Sequence, residues 1–242
     1  MISVCMATYN GEQFIKQQID SILPQLGVND ELIISDDGSK DGTLELIESY
    51  EDRRIKVLHN LSSKEFTPHE KATANFENAL SMAKGEYIFL SDQDDEWCDN
   101  KITVCMNYLK DYDFIVHTKK RINDKDEIIG TQNDDFITMP KNWISHLCQM
   151  KWYGCCMAFN RKVLDIVLPF PDKLIGHDYW ISALAIKLCK INVIDEPLIL
   201  YRCHEGAVSQ GKKNTLLFKI SYRLKLIIQT YKRILRIERN VK

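Results

Sequence analysis

Runs of five to seven mostly apolar residues alternate with helical patterns through the first half of this chain. The apolar runs are rich in β-branched residues and predict strands over 2–8, 31–35, 55–59, 87–91 and 113–117. Apolar residues at helical spacing predict helices over 13–23, 43–50, 72–84 and 101–110, with Gly85 as the stop of the third. Strands that alternate with helices in this way are typical of an α/β fold with a mostly parallel central sheet flanked by helices.

The second half predicts an extension of the same sheet, not an independent domain. The polar segment 119–135 is typical of a hairpin or an exposed loop. After it, the pattern predicts helices near 141–150, over 161–167 and over 177–188, and strands over 155–160, 191–195 and 198–204. The chain shows no internal repeat and no low-complexity tract. We therefore expect one domain over 1–211.

The remaining residues, 212–242, predict a basic amphipathic helical tail. Apolar residues recur at helical spacing from Leu216 to Leu235, with Lys and Arg between them. The formal net charge is −2 overall, but 212–242 carries +9 and 1–211 carries −11. Two interpretations stay open: a helix packed on its own domain or on a partner with a solvated basic face, or a helix lying on an anionic membrane surface.

Composition is that of a globular protein, with 45% hydrophobic residues. The eight cysteines are dispersed without a CxxC pair, which favours buried thiols in a reducing compartment over disulfides or zinc ligation. The first residues predict a strand and lack the regions of a signal peptide, and no apolar run reaches the ~18 residues of a membrane span. We expect a cytoplasmic protein, peripheral on the inner face of the cytoplasmic membrane if the tail is interfacial.

Polar clusters follow three of the predicted strands. Tyr9 and Asn10 end the first strand, Asp36 and Asp37 end the second, and 92–95 ends the fourth. In a parallel sheet these ends share one edge, where such folds bind ligands. The stretch LSDQDDEW places four carboxylates within five residues, so it is either a solvated turn or a site for a hard divalent cation.

Three further clusters have both structural and functional interpretations. SDDGSKDGT is typical of a capped strand-to-helix loop, although Asp37 could also accept from the imide N–H of a pyrimidine. GHDYW could cap a helix or carry chemistry. YRCH offers Arg202, suited to phosphate oxygens, and His204, a metal ligand or a structural side chain. No GxGxxG and no GxxxxGK[ST] occurs, so dinucleotide and P-loop cradles are unsupported.

In order, ISVCMATYNGEQF, ISDDGSKDGT, FLSDQDDEW, GHDYW and YRCH resemble the signature of family 2 glycosyltransferases, particularly the bacterial rhamnosyltransferase-like branch. The resemblance spans roughly residues 2–209. It implies the GT-A type of nucleotide-diphospho-sugar transferase fold, a bound Mn²⁺ or Mg²⁺, and inversion at the anomeric carbon.

The resemblance also implies roles for particular residues. Its nucleotide-sugar-binding positions match Thr8, Tyr9, Asn10, Asp36, Asp37, Asn75, Asp92 and Arg202. Asp178 matches the catalytic base, Asp94 and His204 the metal ligands, and His177 and Trp180 border the acceptor. Within LSDQDDEW, Asp95 is expected to support the turn and Glu96 to be solvated.

The expected activity is inverting transfer of a sugar from dTDP-rhamnose or a UDP-sugar to a hydroxyl of a surface polysaccharide or lipid-linked oligosaccharide. No nucleic-acid partner is expected. One alternative is a catalytically silent sugar-nucleotide-binding or scaffold subunit of a glycan assembly complex. Another, a metal-dependent nucleotidyltransferase, would want a glycine- and lysine-rich triphosphate loop near the first strand, which ATYNGEQF does not provide.

Overall fold

The computed structural model describes residues 1–60, 65–130, 137–149, 151–204 and 215–240. The strands are β1 Ile2–Thr8, β2 Glu31–Asp36, β3 Ile55–His59, β4 Tyr87–Asp92, β5 Glu96–Trp97, β6 Phe114–Ile122, β7 Ile128–Ile129, β8 Met157–Asn160 and β9 Ile191–Arg202. The helices are α1 Ile15–Ile22, α2 Thr43–Glu48, α3 Pro68–Met82, α4 Lys101–Leu109, α5 Trp143–Gln149, α6 Arg161–Val167, α7 His177–Leu188 and α8 Leu216–Asn240.

The nine described strands form one sheet in the order β3-β2-β1-β4-β8-β6-β9-β5, with β7 paired to β6. The first four strands along the chain, β1 to β4, run parallel to one another. The residues of β1, β2 and β4 are largely buried on both faces, which is why these strands form continuous apolar runs in the sequence, whereas β3 at the sheet edge is only partly buried. The predicted α/β class is confirmed.

The other half of the sheet is mixed. β8 lies between β4 and β6 and runs antiparallel to both, whereas β6 and β9 are parallel. The two strands predicted over 191–195 and 198–204 are one strand, β9, which continues through Pro197. The pairing with β6 shifts register on both sides of Thr118, the partner of Pro197, so an irregularity accommodates a residue that lacks a ladder N–H.

Several boundaries differ from the prediction. α3 begins at Pro68, not at 72, because Thr67 and Glu70 form a capping box ahead of it. The helix ends at Met82, and Gly85 is not its stop. Gly85 instead lies where the chain passes β1, and a Cβ on it would lie 2.6 Å from the Ser3 backbone nitrogen.

The polar segment after 118 is a hairpin, one of the two forms predicted. β6 continues to Ile122 and pairs with β7 across a turn at 123–127. Residues 131–135 of that segment, and Met150 at the predicted end of α5, lie outside the described residues. The 3₁₀ turn Gly154–Cys156 replaces the first two residues of the strand predicted over 155–160, and β8 forms the other four.

The tail helix α8 packs against α7 and α5. Leu226, Thr230 and Ile234 are buried on its inner face, and the Arg233 guanidinium donates to the Ile166 and Leu168 carbonyls at 3.0 and 2.9 Å. In the described part of the chain, no helix is long and apolar enough to cross a membrane. None of the eight cysteines, all described, forms a disulfide.

Candidate active site

The ends of β1, β2 and β4 meet at one edge of the sheet, as predicted. Thr8 pairs with Asp36 in the β1–β2 register, and Asp92 lies opposite Ala7. The Thr8 carbonyl accepts from the Asp37 backbone N–H and from the Asn75 side chain, both at 3.0 Å. Asn75, on α3, is buried, and its own Oδ1 has no hydrogen-bond partner. An unpartnered buried acceptor at a strand edge is suited to receive a ligand N–H or O–H.

The loop after β1 connects this edge to the loop after β2. Asn10 has a φ of 49°, in the left-handed region that asparagine tolerates. Its N–H donates to Ser39 Oγ and its Oδ1 accepts from the Lys40 N–H, both at 2.8 Å. Tyr9, beside it, is 53% exposed. Asn10 therefore holds the two loops together, while Tyr9 presents its ring at the surface.

Asp36 is occupied inside its own loop. Its Oδ2 accepts from the N–H groups of Gly38 and Ser39, each at 2.9 Å, and its Oδ1 accepts from the Ser39 hydroxyl. The carboxylate is fully buried. These bonds make Asp36 the internal acceptor that shapes the β2–α2 turn, and Asp37 is the half-buried neighbour at the surface of that turn.

The turn after β4 brings Asp94 to His204. Asp94 Oδ2 lies 2.8 Å from His204 Nε2, and the His204 ring packs against Phe14 with 5.0 Å between centroids. The two residues assigned to the metal are 110 positions apart in sequence, and the structure places them in contact. A carboxylate and an imidazole at this distance are ligands that suit Mn²⁺ and, through the carboxylate, Mg²⁺.

Two further carboxyl groups crowd this turn. Burial, followed by the charges of Asp94 and Asp178, raises the pKa of Asp92 to about 7. Burial and the charges of Asp94 and Asp92 raise the pKa of Asp95 well above its ordinary value. Asp95 Oδ2 is buried without a hydrogen-bond partner. The negative charges of Asp92 and Asp95 beside Asp94 favour a divalent cation at the Asp94–His204 pair, because its charge would offset their repulsion.

Arg202 does not occupy the position that the resemblance implies. It is 2% exposed, and its guanidinium donates to the Asp94 carbonyl at 2.9 Å, to Asp126 Oδ1 at 2.6 Å and to Gln17 Oε1 at 2.9 Å. A fourth bond, at 3.0 Å, reaches the Asn123 carbonyl. With its donors engaged by protein acceptors, Arg202 links the turn after β4, the β6–β7 hairpin and α1, and does not face a diphosphate.

The N-terminus of α7 carries the predicted base. Gly176, with a φ of 81°, precedes His177 and Asp178, and the Tyr179 N–H donates to Asp178 Oδ1 at 2.9 Å. Burial raises the pKa of Asp178 to about 7. Its charge in turn helps to raise the pKa of Asp92, so the two carboxyl groups lie close enough to influence each other. A carboxylate with a raised pKa is a stronger base than an exposed one.

His177 is a neutral side chain stacked on α3. Its ring lies 3.9 Å from the Phe76 ring, centroid to centroid, and burial lowers its pKa to about 3. His177 Nε2 is buried without a partner. A Cβ on Gly154 would lie 2.6 Å from that nitrogen, so only glycine admits this approach.

Trp180 is a core residue. It is 1% exposed, its indole N–H donates to the Val167 carbonyl at 3.0 Å, and the Arg233 guanidinium packs over its ring at 5.3 Å. One turn into α7, this side chain faces α6 and α8. The structure therefore makes it a contact between helices and not a wall of an acceptor site.

The model of the family described as "Glycosyl transferase family 2" matches residues 3–167. The chain belongs to glycosyltransferase family 2. It is 29% identical over 246 residues to the Escherichia coli UDP-Glc:alpha-D-GlcNAc-diphosphoundecaprenol beta-1,3-glucosyltransferase WfaP, covering 97% of this chain and 90% of that one. It is 37% identical over 214 residues to the dTDP-rhamnosyl transferase RfbG of Shigella flexneri, covering 83% of this chain and 72% of that one.

Solved structures confirm the GT-A fold of this family 2 glycosyltransferase. S. aureus TarS 1-349 in complex with UDP-GlcNAc superposes with a TM-score of 0.71 at 17% identity over 94% of this chain. The mannosyltransferase PcManGT from Pyrobaculum calidifontis, in complex with GDP-Man and Mn²⁺, gives 0.56 at 19% identity over 97%. The chain spans 66% of the TarS fragment and 64% of PcManGT.

One residue near this glycosyltransferase site was missed in the sequence, and another has a further contact. Asp95 was expected to support its turn or the groups behind the site, and it accepts the Arg202 N–H at 2.9 Å, while a carboxylate oxygen of Asp95 also lies within 4.8 Å of Asp92. Cys155 was counted among the buried thiols, yet its sulfur lies within 4.8 Å of carboxylate oxygens of Asp92 and Asp95. The signal for Cys155 was the pairing of β8 with β4, which no local pattern reveals.

Proposed function

We propose that this glycosyltransferase moves a sugar, with inversion, from a nucleotide-diphospho-sugar to an acceptor hydroxyl, with Asp178 as the general base. The observation that carries this proposal is the position of Asp178: it lies half-buried at a helix start, close enough to Asp92 for its charge to raise the pKa of that carboxyl group. No other described carboxylate at this edge combines a raised pKa with a position outside the acidic turn.

The chemistry follows from the acidity of the groups involved. A sugar hydroxyl is far too weak an acid to lose its proton to a carboxylate before reacting. The new bond forms between the acceptor oxygen and the anomeric carbon while the bond from that carbon to the diphosphate oxygen breaks. As the acceptor oxygen gains positive charge, its proton passes to the Asp178 carboxylate. The nucleoside diphosphate departs with the electrons of the broken bond.

Asp94 and His204 are the proposed ligands of Mn²⁺ or Mg²⁺. When bound, the cation would neutralise charge on the departing diphosphate. These residues also hold the turn in shape. His204 Nε2 contacts the Asp94 carboxylate, and the Arg202 guanidinium donates to the Asp94 backbone carbonyl. His204 is thereby kept near the diphosphate position, and Arg202 acts as a positioning residue.

We propose a pyrimidine nucleotide donor, dTDP-rhamnose or a UDP-sugar. Asp37 would accept the imide N–H of the base, with the Tyr9 ring beside it, and Asp92 would accept from the ribose. Asn75 offers its unpartnered Oδ1 at the same edge. The names of the relatives support both nucleotides, since one is a UDP-glucose enzyme and another a dTDP-rhamnosyl transferase.

The proposed acceptor is a lipid-linked oligosaccharide or a growing surface polysaccharide. Support comes from the WfaP name, which gives its acceptor as alpha-D-GlcNAc-diphosphoundecaprenol. His177 would border the acceptor, because it precedes the proposed base and keeps a buried nitrogen without a partner.

We further propose that α8 places the enzyme on an anionic membrane surface, such as the inner face of the cytoplasmic membrane. An exposed apolar stripe, here the α8 stripe, runs opposite its buried face and consists of Leu217, Ile220, Leu224, Ile228 and Tyr231. Lys225, Lys232 and Arg236 are exposed along one side of the stripe. Apolar residues beside cations are the pattern of an interfacial helix.

The deciding experiment is a thermal-shift screen of nucleotide sugars with and without Mn²⁺, followed by assays of transfer and of donor hydrolysis with each stabilising compound. Asp178→Asn is the test variant and Asp165→Asn, at an exposed site on α6, the matched control. Turnover that is lost only in Asp178→Asn supports the proposal. Binding without any turnover in the wild type would instead identify a catalytically silent subunit.

A further inference from the structure

The strand pairing brings a thiol to the acidic turn. β8 pairs antiparallel with β4, with Phe89 opposite Ala158. Continuing this register by three residues along each strand reaches Asp92 on one side and Cys155 on the other. Cys155 lies in the 3₁₀ turn Gly154–Cys156, fully buried, and its position beside the aspartates therefore follows from the sheet.

Three ligand atoms converge at this point. The Cys155 sulfur and one carboxylate oxygen each from Asp92 and Asp95 all lie within 4.8 Å of one another. Asp95 is 0% exposed, and the oxygen that Arg202 does not use, Oδ2, has no hydrogen-bond partner. A buried carboxylate oxygen without a partner has lost its hydration and gained nothing in exchange, so a partner at this place is expected.

This cluster differs from the Asp94–His204 pair. Those two side chains already contact each other at 2.8 Å, and neither belongs to the group formed with the thiol. The two sets also differ in chemistry. A carboxylate and an imidazole accept many divalent ions, whereas a thiolate selects ions that bind sulfur, such as Zn²⁺ and Cd²⁺, over Mg²⁺.

From these contacts we infer that Asp92, Asp95 and Cys155 form a second cation position, next to the proposed diphosphate metal, that prefers thiophilic divalent ions. Binding replaces the thiol proton, which passes to solvent, with a sulfur–metal bond. Asp92 opens the position to the ligand edge of the sheet because it is only half-buried. The inference concerns ion binding by the free enzyme and does not depend on the identity of the donor.

Cadmium titration of the full chain tests the inference, because a sulfur–cadmium bond adds a charge-transfer band in the ultraviolet. The background variant is Cys148→Ser, which removes an exposed thiol. In that background we expect a saturable band that Cys155→Ser abolishes and that Cys156→Ser, at the neighbouring buried thiol, retains. We also expect Cys155→Ser to weaken Cd²⁺ binding by at least about tenfold.

A second variant keeps every thiol. Asp95→Asn preserves the side-chain shape and the oxygen that accepts the Arg202 N–H, and should weaken Cd²⁺ binding by about tenfold or more, with an unchanged circular dichroism spectrum. No band in the background protein, or a band that survives Cys155→Ser, would overturn the inference. Because no nucleotide sugar is present, failure here leaves the proposed transfer reaction standing, and failure of transfer leaves this result standing.

Discussion

The environment of Asp178 favours its proposed role as a base and lowers the stability of the fold. Asp178 is half-buried at the start of α7, and its carboxyl group accepts a hydrogen bond from the Tyr179 N–H. Burial therefore raises its pKa to about 7, which makes the anion a better proton acceptor and also a costlier group to keep ionised. The predictions for this residue follow from these two effects.

Asp178→Asn should lower the rate of transfer by about 10²–10⁴, because the amide cannot accept the hydroxyl proton. Nucleotide binding, measured by calorimetry with UDP or dTDP, should persist. Transfer at the wild-type rate would remove Asp178 from the role of base.

The pH dependence of kcat/KM in the wild type should show the titration of the Asp178 carboxyl group. The base works when deprotonated, so kcat/KM should fall as the pH drops below about 7, the pKa that burial gives Asp178. Asp92 has a similar pKa, so the fall can approach two powers of ten per pH unit. A flat profile between about pH 5 and 8 would contradict this assignment.

Removing the charge should stabilise the fold. Because the folded pKa of Asp178 lies above the unfolded one, the folded protein holds this proton more tightly, and stability is lost as the pH rises toward about 7. Asp178→Asn should raise the free energy of unfolding by about 1–3 kcal/mol at pH 8, and by less at pH 5. Urea denaturation at both pH values provides the comparison.

At the scale of elements, the acidic turn is held in place by β9. Arg202, the last residue of that strand, joins the turn to the β6–β7 hairpin and to α1. Its guanidinium serves four acceptors in different directions, which one ammonium group cannot do. The geometry of the turn thus depends on a residue 108 positions away.

Arg202→Lys should lower the free energy of unfolding by about 2–4 kcal/mol, since one ammonium group cannot serve all the acceptors that the buried guanidinium satisfies. Arg53→Lys, at an exposed position, is the control and should change it by less than about 0.5 kcal/mol. Equal stability of the two variants in urea would show that Arg202 does not hold the turn.

Features that depend on local sequence patterns were predicted, whereas features that depend on contacts between distant segments were not. The parallel strands and their shared ligand edge follow from periodicity, and the Asp94–His204 pair follows from the resemblance to the family. The start of α3 was misplaced although Thr67 and Glu70 carry a readable capping box. The antiparallel β8, and with it Cys155, depends on pairing that no local pattern contains.

For side chains, a motif gives a position along the chain but not the face that the residue occupies. Trp180 is three residues beyond His177, yet it points into the helical core. Arg202 lies in the expected motif, but its donors are engaged within the protein. Both outcomes were set by packing between segments distant in sequence, which is why the motif alone did not predict them.

At the scale of the whole molecule, α8 has two faces that perform different tasks. Leu226, Thr230 and Ile234 fasten it to the domain, and the α8 stripe lies on the opposite side. The packing interpretation of the tail describes the inner face of α8, and the membrane interpretation stays a proposal for the α8 stripe. Truncating 212–242 would also expose the surface of α7 and α5 that α8 covers. Single substitutions in the α8 stripe are therefore the cleaner test.

Leu224→Glu should reduce binding to vesicles that contain anionic lipid by at least about tenfold, because it places a negative charge in the inserted stripe. Its melting temperature should match the wild type, since Leu224 is 55% exposed. Val28→Glu, at another exposed apolar site, makes the same charge change outside α8 and should leave flotation with vesicles unaltered. Equal flotation of the two variants would exclude the membrane proposal.

The separation of charge along the chain has a consequence for kinetics. Residues 212–242 carry +9 while the rest carries −11, so a negatively charged surface would attract the tail and repel the remainder of the chain before contact. The rate of arrival should then fall steeply as ionic strength shortens the Debye length. The rate of departure, governed by the apolar stripe, should hardly respond to salt. The salt concentration would therefore set the rate at which the enzyme binds the membrane surface. The α8 stripe would set how long the enzyme remains bound.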